Sequence, residues 1–182
     1  METNRKIEFT KIRDVKSPNR ANKHDAGTDF YIPNYSEEFM QVLLEKNKGR
    51  NIEYQLAIDE TGAQVCQITI KGGEEILIPS GIKVNILDKN TYLEATNKSG
   101  IASKFHLLTG ACVIDADYQG EVHMNMHNVW TKPVTIVTGQ KLVQFIHKYY
   151  IDTDWTEISN DEYNCLKTSD RGNGGFGSTT LK

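Results

Sequence analysis

The sequence predicts an all-β domain of the sandwich, barrel or jelly-roll class, with a helix and a hairpin inserted and a glycine-rich tail. Two observations predict it. Short apolar runs, alternating or continuous, are bounded by Gly, Asn, Asp or Pro along most of the chain, the pattern of strands closed by turns. Before the tail, one segment alone breaks this pattern with apolar residues at helical spacing.

The elements follow in order. Ala26 to Pro33 reads as a turn entering a strand. In Ser36 to Lys46, Phe39, Met40, Leu43 and Leu44 recur at helical spacing, with Ser36 as N-cap and Glu37 and Glu38 suited to a helix N-terminus. Ile52, Tyr54, Leu56 and Ile58 alternate, as do Cys66, Ile68 and Ile70 beyond the turn Asp59 to Gly62, which makes a hairpin. Residues 36–73 therefore read as an addition to a strand framework. Ile76 to Ile78 leads into a turn at Pro79-Ser80-Gly81, a second strand over Ile82 to Ile86 and a turn at Asp88 to Asn90. Later runs are Ala111 to Ile114, Glu121 to Val129, Val134 to Val137 and Lys141 to Tyr149. A short helix is expected within Trp155 to Leu166.

Bulk properties exclude several classes. A chain of 182 residues favours one domain: a β domain over 1–168, with 36–73 inserted and 169–182 as a Gly-rich C-terminal arm. The net charge is −3 and no Lys/Arg block exists, so nucleic acid is not an expected partner. No stretch approaches a membrane span, and Met1 to Lys11 lacks the apolar core of a signal peptide. Cys66, Cys112 and Cys165 are far apart and odd in number, which fits a reducing, cytoplasmic compartment.

Five segments carry residues with chemical potential, and each has a plainer reading. Arg171 to Thr179 offers exposed amides, an arginine fork and two hydroxyls to phosphate, with Phe176 free to stack on a base; alone it reads as a mobile end. Cys112 to Glu121 ends a strand in Asp115, Asp117 and Tyr118, a place where an Asp is held rigidly enough to serve as a general base; alone it is an Asp-rich turn. Asn97 to Lys104 combines a cation, a hydroxyl and a glycine; alone it is a helix start capped by Ser99. Ala26 to Pro33 and Gly139 to Gln144 are, singly, turns entering strands.

Together, in order and composition, the five segments resemble the five motifs of the trimeric dUTPases. The first, Ala-Gly-x-Asp and an apolar residue, is matched by Ala26 to Phe30. The second, Arg-Ser-Gly-Leu-Ala-x-Lys, is approximated by Lys98 to Lys104. The third, Gly-Val-Ile-Asp-x-Asp-Tyr-x-Gly-Glu, is matched by Cys112 to Glu121 except at its first position. The fourth is matched by Gly139 to Gln144 and the fifth, Arg-Gly-x-Gly-Gly-Phe-Gly-Ser-Thr, throughout by Arg171 to Thr179. The third and fifth are the specific ones. The resemblance covers nearly all of the chain except 36–73.

The resemblance implies a dUTPase-like jelly roll or distorted β-barrel, assembled as a homotrimer with active sites shared between subunits. It implies hydrolysis of dUTP to dUMP and pyrophosphate, which keeps uracil out of DNA and supplies dUMP for dTMP synthesis. Asp115 matches the carboxylate that activates the water attacking the α-phosphorus. Tyr118 matches the aromatic against the deoxyribose, and backbone groups around Leu108 to Ile114, including Val113 and Ile114, match those that read uracil. Lys98, Ser99, Gly100 and Gln144 match phosphate-contacting positions. Arg171, Gly177, Ser178 and Thr179 match the grip of the arm, and Phe176 its stacking ring. Magnesium is held mainly by the triphosphate, with Asp29 acting through a metal-bound water. Three positions depart from the family pattern: Lys98 replaces Arg and loses its planar fork, Cys112 replaces Gly, and Thr180 stands where Gly often follows. For 36–73 the plainer expectation is a peripheral lobe and the sharper one a protein-binding surface.

His123 and His127 share a strand face with Glu121 and Asn125, read as solvated or lining a trimer rather than as a metal site. Two other functions remain open on the sequence. A dCTP deaminase of the same fold would need a catalytic Glu where Asn125 stands and would lack the arm. A nucleotide-responsive binding protein would act through 36–73.

Overall fold

The computed structural model describes residues 6–50, 52–166 and 172. The chain divides into two compact units, Met1–Ile151 and Asp152–Lys182. The first contains, in order, β1 (Ile7–Lys11), β2 (Thr28–Tyr31), α1 (Glu37–Lys46), β3 (Glu53–Ile58), β4 (Gln64–Ile70), β5 (Glu75–Ile86) and β6 (Thr91–Thr96). It continues with α2 (Ser99–Phe105), β7 (Leu107–Thr109), β8 (Val113–Asp115), β9 (Glu121–Asn128), β10 (Val134–Val137) and β11 (Lys141–Tyr149). The second unit holds α3 (Asn160–Asn164), the short helix expected there. A capping box closes it: Ser159 Oγ accepts from Glu162 N–H while the Glu162 carboxylate accepts from Ser159 N–H.

The strands form antiparallel sheets in the orders β1-β5-β9-β7, β10-β4-β3 and β2-β11-β6-β8, the β fold that the alternation predicts. β9 shows the physical cause most plainly. Val122, Met124, Met126 and Asn128 are buried, while Glu121, His123, Asn125 and His127 stay half-buried on the other face. Apolar faces from all three sheets meet in one core that includes Ile32, Ile68, Ile76, Leu107, Met124 and Phe145.

Residues 36–73 are not a peripheral lobe. The Ser36 hydroxyl caps α1 by accepting from Phe39 N–H at 3.0 Å, as the sequence predicts. The face of α1 then buries Phe39, Met40 and Leu43 in the main core. Asn47, 1% exposed, joins the helix end to β5: its Nδ2 donates to Leu77 O and its Oδ1 accepts from Leu77 N–H, both at 2.8 Å. β4 pairs with β10 on its other side and buries Cys66, Ile68 and Ile70. The helical and alternating spacings locate these elements, but spacing does not say whose core an apolar face enters.

Pro79-Ser80-Gly81 is likewise not a turn between two strands. β5 runs unbroken through it, and a register shift against β9 between Pro79 and Lys83 absorbs the irregularity. Gly81 has φ +72°, which a side chain disfavours. Its N–H donates to Glu121 Oε1 at 2.7 Å, and the same carboxylate pairs with Arg13. The acid that closes the third sequence motif thus holds the bulge of the neighbouring strand.

If α1 belongs to the core, Phe39→Ala destabilises the protein by about 3–5 kcal/mol. Urea denaturation followed by tryptophan fluorescence measures this, and a loss below about 1 kcal/mol would return the helix to the periphery.

Candidate functional site

Three sequence-distant segments converge on one end of the β2-β11-β6-β8 sheet. Asp29 of β2, Gln144 of β11 and Thr96 of β6 are successive cross-strand partners in one row. The chain leaves β6 into Asn97, Lys98 and α2, so motif residues of the first, second and fourth segments become neighbours. Gly27 fits because it has no side chain: a Cβ there would lie 2.3 Å from Gln144 Oε1. Gln144 Nε2 in turn donates to Asn97 O at 2.9 Å. The Asn97 side chain reaches the other way and accepts from Thr109 N–H at 2.7 Å, which ties the loop to β7.

Asp29 is the electrostatic centre of this end. It is 4% exposed, and its two oxygens pair separately with Lys98 and, at 3.1 Å, with Lys141. Burial opposes its ionisation, but the hydrogen bonds and charges of Lys98 and Lys141 prevail and hold its pKa below the ordinary value. Lys98 and Lys141, with Lys104, Ser99, Gly100 and Gln144, line a cleft of about 540 Å³. Three ammonium groups against one buried carboxylate leave it suited to a polyanion. Ser99 is not the helix cap that the plainer reading made it. The N-cap of α2 is Lys98, with no side-chain cap, and Ser99 is the first helical residue and exposed.

A second cleft, of about 230 Å³, is lined by Ala111, Val113, Ile114, Asp115 and Tyr118 together with Leu77, His123 and Asn125. Asp115 ends β8 opposite Tyr92 of β6 and is exposed. The turn after it is closed by Tyr118 N–H donating to Asp115 O at 3.1 Å and Tyr118 OH donating to Glu121 O at 2.9 Å. Asp115 is thus a carboxylate with water access on a backbone fixed from both sides. The two clefts share no lining residue. Through β6, the Cα atoms of Asp115 and Gln144 lie about 16 Å apart by strand geometry.

Among the described residues no three His, Cys, Asp or Glu side chains gather as a metal cage. His123 is held by Nδ1 at 2.8 Å from Glu121 O, and burial is the main cause that pushes its pKa below the ordinary value. Burial pushes the Cys66 thiol up to about 11, which leaves it protonated and unreactive. Arg171, Phe176, Gly177, Ser178 and Thr179 lie outside the described residues.

Three residues of the clefts escaped the sequence reading. Lys141 was legible in principle, since the fourth motif has a basic position there. Asn97 and Asn125 carry no signal in the chain itself, because each acts through partners more than ten residues away.

Comparison with known proteins agrees with this geometry. Residues 63–180 match the family model described as dUTPase. The deoxyuridine 5'-triphosphate nucleotidohydrolase of Shewanella halifaxensis is 31% identical over 158 residues, 86% of this chain and 91% of that protein. The enzyme of the same name from Candida albicans is 38% identical over 148 residues, 79% of this chain and 89% of that one. In fold, the chain is similar to the Staphylococcus bacteriophage 80alpha dUTPase solved with dUpNHpp, with TM-score 0.67 and 17% identity, covering 96% of this chain and 98% of the other.

The Asp29 cluster generates a pH prediction. A folded pKa below the unfolded one contributes stability above the unfolded value, near 3.8, and this is lost as pH falls through the folded value. Asp29→Asn is expected to lower stability at neutral pH by on the order of 3 kcal/mol, the lower end for breaking a buried ion pair, and to flatten the loss below about pH 4. Urea midpoints from about pH 2 to pH 7 measure both; parallel curves for the two proteins would refute the assignment.

Proposed function

The chain belongs to the dUTPase family and hydrolyses dUTP to dUMP and pyrophosphate, and from that premise we propose how its residues divide the work. The lysine-lined cleft takes the phosphate chain, and the cleft at the end of β8 takes the nucleoside and supplies the base. Asp115 accepts a proton from a water whose oxygen attacks the α-phosphorus. The bond from that phosphorus to the α-β bridging oxygen breaks, and pyrophosphate leaves. Tyr118 lies against the deoxyribose, and backbone groups of the segment around Leu108 to Ile114 read uracil.

Lys98, Ser99, Gly100 and Gln144 hold the phosphates, with Lys141 beside them. Lys98 offers a compact charge in place of a planar fork. Asp29 keeps Lys98 and Lys141 aimed at one place, so their charge is positioned before substrate arrives. Arg171, Gly177, Ser178 and Thr179 grip the phosphates from the arm and Phe176 stacks on the base, so that closure excludes water. Magnesium fits this site as a companion of the triphosphate, where it would neutralise the developing charge on the leaving group. The donor set supports that reading: both oxygens of Asp29 already face lysines, which leaves it to approach a metal through water.

The observation that carries the proposal is the separation of the two clefts, which share no residue in one protomer. A triphosphate nucleotide needs both at once. A homotrimer, in which the phosphate cleft of one copy faces the Asp115 cleft of another, supplies them together. Three free cysteines suit a reducing cytoplasm; among the described residues no helix is long and apolar enough to cross a membrane. A protein-binding role for 36–73 is favoured by one observation, the exposed Tyr54, Leu56 and Ile58 on β3 at the edge of its sheet.

Asp115→Asn is expected to lower kcat by about 10²–10⁴ with dUTP binding retained, read by pyrophosphate release and by calorimetry with a non-hydrolysable analogue. Near-normal turnover would remove Asp115 from the chemistry. The shared site has its own test: Asp115→Asn and Gln144→Ala chains, each impaired alone, are unfolded and refolded together. Mixed assemblies restore about a quarter of the sites if each draws on two copies, whereas no recovery in verified mixed assemblies would confine the site to one chain.

A further inference from the structure

The segment that joins β7 to β8 is a loop between two sheets, since β7 pairs with β9 and β8 with β6, and it has a support that the function so far leaves unused. Asn125 of β9 holds two consecutive amides of that loop. Its backbone oxygen accepts from Gly110 N–H at 2.9 Å, and its side-chain Oδ1 accepts from Ala111 N–H at 3.0 Å. Asn125 also lines the cleft of Asp115 and Tyr118.

The orientation of the Asn125 amide is set from behind. Its Nδ2 donates to Glu75 Oε2 at 3.4 Å, and Glu75 is paired with Arg50 of the inserted region. His127 Nε2 lies 3.0 Å from Asn125 Oδ1 and 3.1 Å from Glu75 Oε2. Both of those atoms are acceptors, so the proton of the ring sits on Nε2. With Ala111 N–H and His127 Nε2–H both pointing at Oδ1, the amide has one favourable orientation.

Gly110 completes the lock. A Cβ at that position would lie 1.9 Å from Asn125 Oδ1 and 2.3 Å from His127 Nε2. The loop lies flat on this pair because residue 110 carries no side chain. Cys112, two residues on, brings a side chain into the same loop, where the family motif has glycine.

We propose that Asn125 is a positioning residue for base recognition: it fixes the backbone at Gly110 and Ala111, while His127, Glu75 and Arg50 fix the orientation of its amide. This rests on the reading that the loop from β7 to β8 binds uracil. The residue acts before chemistry, on where the base sits, and does not touch the attacking water. A loosened loop weakens binding and blurs the choice between uracil and cytosine, whose edges differ in donors and acceptors.

Asn125→Ala is measured against wild type with dUTP and dCTP, together with hydrogen exchange of the amides at 110 and 111. The expected result is a 3- to 10-fold rise in KM for dUTP, the scale of one net hydrogen bond. Expected alongside are kcat within about 2-fold, a smaller preference for dUTP over dCTP, and faster exchange at both amides. The double variant Asn125→Asp with Glu75→Gln keeps the acceptor without opposing carboxylates, and is expected to restore KM and slow exchange. An unchanged KM in Asn125→Ala, a fall in kcat alone, or no rescue by the double variant would overturn the inference while wild-type turnover of dUTP stands. Absence of dUTP turnover in wild type would instead sink the functional reading and this inference with it.

Discussion

A carboxylate shut away from water and held by two lysines organises the rest of this molecule. Asp29 loses hydration on burial, and the ammonium groups of Lys98, at the start of α2, and Lys141, on β11, replace the lost water contacts. Ionised and unpaired, it would be strongly destabilising. The pairing therefore fixes the end of β6 and the start of β11 around β2. It also leaves a surplus of positive charge facing a cleft, because three lysines border a space whose nearest carboxylate is already engaged. Placement of the cationic groups along the cleft and stability of the sheet end are consequences of one interaction.

The carboxylate at the end of β8 obeys the opposite rule. Asp115 stands at an exposed strand end, where it keeps contact with water, and its rigidity comes from the backbone hydrogen bonds of the turn that follows. A buried, lysine-paired acid and an open one thus occupy contrasting environments within one sheet. Asp29 aligns through Gln144 with Thr96 and Asp115 with Tyr92, so the two stand at opposite ends of β6.

The inserted region changes how the rest must be understood. Its helix and β4 contribute buried residues to the main core, and Asn47 and Arg50 reach β5 at Leu77 and Glu75. Those two β5 residues lie opposite Asn125 and His127 of β9. The segment without counterpart in the sequence motifs is therefore linked through β5 to the strand whose Asn125 holds the loop between β7 and β8.

Much of this was legible in the sequence, and the reason is periodicity. Side chains that alternate along a strand or recur along a helix reveal the element before it folds, so α1, the β3–β4 hairpin, α3 and most strands fall where the pattern puts them. Motif order, read through the family resemblance, singled out Asp29, Lys98, Ser99, Gly100, Asp115, Tyr118 and Gln144, and the fold sets Lys98, Ser99, Gly100 and Gln144 along one cleft and Asp115 and Tyr118 along another. Pairing between distant strands decided the rest. The Pro79-Ser80-Gly81 segment became a bulge rather than a turn because Glu121, forty residues on, satisfied its free amide. Ser99 lost its expected cap because Lys98 took the capping position, and Asn97 and Asn125 gained roles because β7 and the residues just after it brought amides to them. A sequence specifies which groups can bond; only the folded sheet decides which of them come within 3 Å of one another.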